Sequence, residues 1–159
     1  MTQVLQPPPL KDPRLIALYG YWLGKCAGRL MPARADLLPE EMKPWLGNLM
    51  LIDVTPDGDY VYRLYGTRFV EQFGVEMTGK TIKVLASAQA DAIRSEYDMV
   101  RRARAPHARS YTASFDVFLH GPIDKVELVR TWERLVLPLS RAQENVVQML
   151  LIGAYQQEK

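Results

Sequence analysis

The chain has 159 residues, a length at which one domain with a single core is the usual outcome. Hydrophobic residues make up 48% and charged residues 24%, a globular composition that excludes a disordered or fibrous protein. The net charge of +2, from 20 basic and 18 acidic side chains, gives no broad field for nucleic acid or an anionic membrane, so we expect neither as a partner.

The first residues predict no packed element. Three successive prolines, Pro7–Pro9, remove backbone donors, so we expect a flexible arm over residues 1–11 ahead of one domain over residues 12–159. The chain does not open with a basic stretch followed by an apolar one, as a secretory signal would, and its lone cysteine, Cys26, forbids an intramolecular disulfide. These features predict a cytoplasmic protein.

An amphipathic helix is expected directly after the arm. Asp12 is a typical N-cap, Pro13 suits a first helical position, and apolar side chains then recur at helical spacing at Leu15, Leu18, Tyr19, Trp22 and Leu23. This stripe could cover the core of its own domain or form the seam of a homodimer. Both interpretations stay open at this stage.

A hairpin and two helices are expected next. The runs Leu49–Val54 and Tyr60–Gly66 are separated by a Pro-Asp-Gly turn, which predicts two paired strands. A short helix capped by Thr67 should end at Gly74, and a longer one should span about Ser87–Ala103. The apolar stripe of the longer helix contains Ile93, Tyr97 and Val100, with Arg94, Glu96 and Arg101 outside it.

The last third predicts three consecutive strands. Residues Ala108–Leu119 and Lys125–Ser140 alternate in polarity, and Val146–Tyr155 is a largely apolar run. Only short turns separate the three, which indicates antiparallel pairing.

One connecting stretch has the letters of a nucleotide-binding loop. Gly74, Gly79, Lys80 and Thr81 fit the P-loop spacing G-x-x-x-x-G-K-T. A working P-loop follows a buried strand and opens a helix at its Lys-Thr pair. Here a short helix precedes the loop and the next helix starts near Ser87, so we expect a connector with Lys80 solvated. Nucleotide binding through Gly74 to Thr81 is kept as an alternative.

The order of elements resembles that of a PAS domain, an α+β fold whose five-stranded antiparallel sheet has the order 2-1-5-4-3 and carries helices on one face. Here an N-terminal amphipathic helix is added. The words "YRLYGTRFVEQFGVEMTGKTI" and "WERLVLPLSRAQENVVQMLLIGA" are similar to those of the stand-alone bacterial PAS-like proteins known as PAS_5. The resemblance covers roughly Leu15 to Tyr155.

The resemblance implies a sensory or protein-interaction module and not an enzyme. PAS domains hold a small molecule or cofactor between sheet and helices, or they act as dimerisation modules. The Asn-Cys-Arg-Phe word of the flavin-binding branch is missing here. His107 and His120 are predicted in surface loops, so we expect no haem, metal or other cofactor. The G-x-S-x-G elbow of a serine hydrolase is also missing.

Ligand-lining candidates follow from the faces that should meet in such a fold. They are Tyr62 and Leu64 on the second strand, Tyr97 and Val100 on the long helix, Phe115 and Val117 on the third strand, and Leu135 and Leu137 on the fourth. Plain core packing is the competing interpretation for all eight. The two tyrosines are the strongest candidates, since a buried phenol needs a hydrogen-bond partner.

Two arginine patterns concern the surface. Arg63 is expected to pair with Glu133 or Asp116 across the sheet. An exposed stripe on the fourth strand should either contact a partner or only stack on itself, and it consists of Arg130, Trp132 and Arg134.

Taken together, the sequence predicts a non-catalytic PAS-like sensor or interaction module, with an unidentified small molecule between sheet and helices. We expect a homodimer formed through the N-terminal helix and a signalling protein as a further partner. A dimerising scaffold without a ligand is the alternative.

Overall fold

The computed structural model describes residues 8–74, 76–85, 87–118 and 125–157. The side chains of residues 72–73, 113–118 and 125–128 lie outside that description. Within it, the predicted helices and strands are confirmed to within a few residues. They are α1 (Pro13–Cys26), β1 (Leu49–Val54), β2 (Tyr60–Tyr65), α2 (Thr67–Phe73), α3 (Ser87–Ala103), β3 (His107–Phe118), β4 (Lys125–Leu139) and β5 (Met149–Gln156).

The five strands form one antiparallel sheet in the order β2-β1-β5-β4-β3, as the sequence predicts. The central strand, β5, is buried along all but its last residue, so both faces of the sheet are covered. His107 opens β3 opposite Val136 and is half-buried, which corrects its expected place in a surface loop. His120 lies outside the described residues.

Helix α1 covers one face of the sheet. Leu49, Gly153 and Leu135 are register neighbours on β1, β5 and β4. Leu15 and Leu18 of α1 pack directly over Gly153. We call this side the α1 face. The core interpretation of the helix stripe is therefore confirmed for its buried members, Leu15, Leu18 and Trp22.

The opposite side of the sheet lies under α3, and we call it the α3 face. Arg134 on β4 bonds Glu96 of α3, which fixes the face to which this position belongs. Since side chains alternate along a strand, Arg134 and its sequence neighbour Glu133 lie on opposite faces.

Glu133 fixes the start of α1. Its carboxylate accepts the backbone N–H of Lys11 at 3.0 Å and that of Asp12 at 2.8 Å. Asp12 in turn accepts the N–H of Arg14 at 2.9 Å as the predicted N-cap. Leu10 also packs against the core, so the expected flexible arm does not extend to residues 10 and 11. The arm prediction for residues 1–7 concerns residues outside the description.

The end of β4 is closed by Trp22, Pro138 and Ser140. The indole Nε1–H of Trp22 donates to the carbonyl of Pro138 at 2.9 Å. Ser140 exchanges backbone hydrogen bonds with a neighbouring segment, donating to the carbonyl of Pro32 and accepting from the N–H of Arg34. β4 is thus bordered by protein atoms beyond the point where β3 begins, at the His107–Val136 pair.

Gly66 is the N-cap of α2, in place of the expected Thr67. A Cβ atom at residue 66 would lie 2.3 Å from the carbonyl oxygen of Gly47. Because α2 already begins at Thr67, its cap is the preceding residue, and the two backbones meet there too closely for any residue but glycine.

We expect Gly153→Val to destabilise the protein by about 1–3 kcal/mol, because a Cβ there would lie 2.6 Å from Cδ2 of Leu18 and the added methyls overpack the helix–sheet contact. Urea unfolding followed by tryptophan fluorescence measures the change. Leu18→Ala should recover part of the loss in the double variant, a coupling that an effect unrelated to this contact would not show.

Gly24→Ala, at an α1 glycine with open space around it, should raise the free energy of unfolding by about 0.5–1 kcal/mol in the same urea experiment.

Candidate functional site

A cavity of about 790 Å³ lies between the α3 face of the sheet and the segment that carries α3. The sheet contributes a polar floor made of Tyr62, Tyr65, Arg109, Tyr111 and Arg134. The helical side contributes a mainly apolar wall that contains Val84, Leu85, Gln89, Ala92 and Ile93. The volume falls within the range of small-molecule sites, about 300–1,000 Å³.

A buried carboxylate between two guanidinium groups forms the centre of the floor. Arg109 and Arg134 face each other in the β3–β4 register, and Glu96 reaches them from α3. Nε of Arg134 donates to Oε1 of Glu96 at 2.8 Å, while Nε of Arg109 donates to Oε2. Glu96 is 7% exposed and Arg134 5% exposed, so this pair is largely desolvated, while the Arg109 side chain is 37% exposed.

The charges of this cluster stabilise one another. Burial alone would raise the pKa of Glu96, but the Arg134 and Arg109 guanidinium groups outweigh it and hold that pKa below its usual value of 4.5. Arg134 stays protonated, since the neighbouring Tyr97 and Glu96 raise its pKa against the effect of burial. Glu96 therefore neutralises one of the two guanidinium charges at neutral pH.

The phenols of the floor are neutral hydrogen-bonding groups. Tyr97 accepts a hydrogen bond from Nη2 of Arg134 at 2.9 Å, and the Tyr62 hydroxyl faces it. Burial raises the pKa of Tyr62, and it raises that of Tyr65 to about 12. Both keep their protons at physiological pH, and the Tyr65 hydroxyl can donate its proton to an acceptor in the cavity.

The predicted ligand-lining residues do not all lie on the cavity side of the sheet. Tyr62 lines the cavity, and Tyr97 lies beside it in the Arg134 network. Val100 is a buried residue of α3 and is not among the residues that line the cavity. Leu135 and Leu137, by register with Gly153 and Leu151, belong to the α1 face and not to the cavity side, which corrects that expectation.

Leu64 is also on the other side, for a local reason. The β1–β2 register passes from Leu51↔Leu64 to Ile52↔Tyr62, so Arg63 is an extra residue in the strand. This bulge reverses the alternation. Tyr65 joins the cavity in place of Leu64, which is 40% exposed. The last two candidates, Phe115 and Val117, have side chains outside the described residues, and their role stays a prediction.

Both arginine expectations are corrected. Nε of Arg63 lies 3.2 Å from Oδ2 of Asp53 on the neighbouring strand, while Glu133 is occupied by the start of α1 and the side chain of Asp116 lies outside the described residues. The stripe of Arg130, Trp132 and Arg134 is not the exposed contact surface that the sequence predicts. Its last two members are buried on the α3 face, and the ring of Trp132 lies 6.1 Å from that of Phe69.

The P-loop letters form a connector along β2. Helix α2 precedes Gly74, which has φ 72°, and the Thr81 hydroxyl caps a 3-10 turn over Ile82–Val84. Gly79 N–H donates to the carbonyl of Tyr62, and Tyr62 N–H donates to the carbonyl of Lys80. The backbone that would cradle a phosphate is thus engaged with the sheet edge. Lys80 is exposed, as predicted, and also lines the cavity.

Within the described ranges, no three His, Cys, Asp or Glu side chains come together as a metal site would require. Among the same residues, no helix is long and apolar enough to cross a bilayer.

A protein-family model described as a PAS domain matches residues 10–155 of the chain. The chain belongs to this family. Its PAS domain is also similar to solved LOV structures. The light-state LOV domain of the blue-light photoreceptor Aureochrome1 shares 13% identity at a TM-score of 0.40, over 77% of this chain and 91% of that one. A variant of RsLOV shares 14% identity at a TM-score of 0.41, over 76% and 68%. No curated protein matches the chain.

We expect Glu96→Gln to destabilise the PAS domain by about 3–5 kcal/mol at neutral pH, because it leaves two guanidinium groups without their buried counter-charge. The folded pKa of Glu96 is lowered, so its contribution is present above about pH 4.5 and is lost as the pH falls through the folded value. Urea unfolding between pH 3 and 7 should show that the free energy of unfolding falls less steeply towards acid pH in the variant than in the wild type. Glu144→Gln, at an exposed position, should leave this pH dependence unchanged.

Proposed function

We propose that this PAS domain is a non-catalytic sensory module that holds a small molecule in the cavity between the sheet and α3. The observation that carries the proposal is a cavity of about 790 Å³ with a charged, hydrogen-bonded cluster in its floor. Buried charge is costly to maintain, and a cluster used only for packing could be replaced by apolar side chains at little or no loss of stability. A cluster beside an open volume is available to a ligand.

The function of such a module is to pass the bound state to another protein. We propose a signalling protein as the receiver and, from the single cysteine, a reducing compartment such as the cytoplasm. Cys26 sits on α1 across the sheet from the cavity, so the chain has no cysteine to react with a molecule held there.

Native mass spectrometry of the protein purified from cells tests the proposed cavity function. We expect a bound small molecule on the wild type and its loss in Ala92→Trp, whose indole would occupy the cavity mouth. Ala88→Trp is the matched control, since it makes the same change one turn earlier on α3 at an exposed position outside the cavity lining. Equal loading of all three proteins, or an unloaded wild type that binds no added small molecule, would contradict the proposal.

We also propose that the PAS domain forms a homodimer through the outer surface of α1. Ile16 and Leu23 are 49% and 52% exposed there, and the exposed glycines Gly20 and Gly24 lie between and beside them at helical spacing. Large apolar side chains flanking small residues allow two helices to approach closely.

Size-exclusion chromatography with light scattering tests the dimer. The wild type should have twice the mass of the 18.2 kDa chain, and the double variant Ile16→Glu/Leu23→Glu should have the mass of one chain, because the charges cannot be buried between helices. Val129→Glu changes an equally exposed apolar residue on β4 and should remain dimeric. A wild type with the mass of a single chain would refute the proposed interface.

A further inference from the structure

The cavity has an excess of positive charge. Three cations line it, Lys80, Arg109 and Arg134, and its described lining contains no aspartate or glutamate. Glu96 lies behind the floor and neutralises one guanidinium group. The anchor of two arginines and one glutamate therefore retains one positive charge, and its Arg134 and Glu96 members are buried, where an anion is attracted more strongly than at the open surface.

The way in which Glu96 holds the arginines leaves their outer nitrogens available. Each of its oxygens accepts from one Nε, so the carboxylate engages both guanidinium groups from the same end. Arg134 also uses Nη2, which donates to Tyr97. Within the part of the chain that the structure describes, Nη1 of Arg134 and both Nη atoms of Arg109 have no hydrogen-bond acceptor.

Two guanidinium groups placed side by side on adjacent strands match the oxygens of a single anionic head group. A monoanion balances the one retained charge. A phosphate dianion would leave an excess negative charge beside Glu96, at a position that Lys80 at the exposed rim screens only weakly. The charge balance thus favours a carboxylate over a phosphate monoester.

The rest of the cavity suits an apolar body attached to that head group. Val84, Leu85 and Ile93 form its helical wall, and Met50 and Met77 complete the lining near the edge of the sheet. Methionine side chains adapt to irregular apolar shapes. The neutral phenol of Tyr65 adds a hydrogen-bond donor between the two regions.

We propose that the cavity binds a small organic carboxylate, with its anionic head on the outer nitrogens of Arg109 and Arg134 and its apolar body against the wall of α3. This assignment rests on the proposed ligand-binding function and names the chemical class of its ligand. The two arginines select the head group, and Glu96 is a positioning residue that fixes both of them.

Isothermal titration with octanoate, octanamide and octyl phosphate tests the assignment, because the three probes share a body and differ in the head group. Octanoate should bind at least about tenfold more tightly than octanamide, the amount expected from one charge-assisted hydrogen bond. It should also bind more tightly than octyl phosphate. Tighter binding of octyl phosphate would overturn the choice of a carboxylate.

The variant Arg109→Gln should remove the octanoate preference, because the remaining Glu96–Arg134 pair carries no net charge, and should leave octanamide affinity within about twofold. It keeps the one-to-one Glu96–Arg134 pair, so it should fold, and a thermal melt close to that of the wild type checks this. Arg102→Gln, at an exposed position near the end of α3, is the matched control and should bind octanoate as the wild type does.

The outcomes separate this inference from the function on which it rests. If octanamide binds as tightly as octanoate and Ala92→Trp abolishes both, the carboxylate assignment is wrong and the ligand-binding cavity stands. If none of the three probes binds and the purified protein carries no small molecule in native mass spectra, both the assignment and the proposed function fail.

Discussion

The structure depends on the burial of strand β4 on both of its faces. Glu133 and Arg134 are consecutive residues, yet one fastens the start of α1 and the other forms the floor of the cavity. Each charge is accepted in the interior only because it has partners on its own face, backbone N–H groups for Glu133 and Glu96 with Tyr97 for Arg134. Two helices on opposite sides of the sheet are thus joined to adjacent positions of one strand.

The two arginines of the cavity floor are held in place by contacts within the protein. Glu96 orders both guanidinium groups before anything binds, so a ligand would lose little free energy to arginine side-chain ordering. The same carboxylate lowers the net charge of the floor, which limits the repulsion between the two arginines. Preorganisation and charge compensation therefore come from one residue on α3.

The sequence predicts the order of elements, the strand order, the helix cap at Asp12 and the start of α3 at Ser87, because these depend on local periodicity and on the resemblance to a known fold. It did not predict which face of β4 meets the cavity. Leu135 and Val136 are both buried, and this end of the strand is apolar on both faces, so it has no alternation there to indicate direction. The bulge at Arg63 likewise depends on pairing between strands, which no single strand encodes. The helical pattern puts Glu96 outside the apolar stripe, on the side expected to be exposed. Its burial depends on Arg109 and Arg134, which lie on other elements and which the pattern of α3 does not reveal.

The hydrogen bond between Trp22 and the Pro138 carbonyl also protects this edge of β4 from pairing with a strand of another molecule. Strand residues direct their backbone groups to alternate edges, and Ser140, two residues on, points to the edge away from β5. Pro138 shares that direction, has no N–H to offer, and has its carbonyl already bonded to Trp22. A β-strand from another molecule that approached β4 between β3 and the Pro32–Arg34 segment would find no free donor or acceptor at residue 138, which disfavours extension of the sheet there.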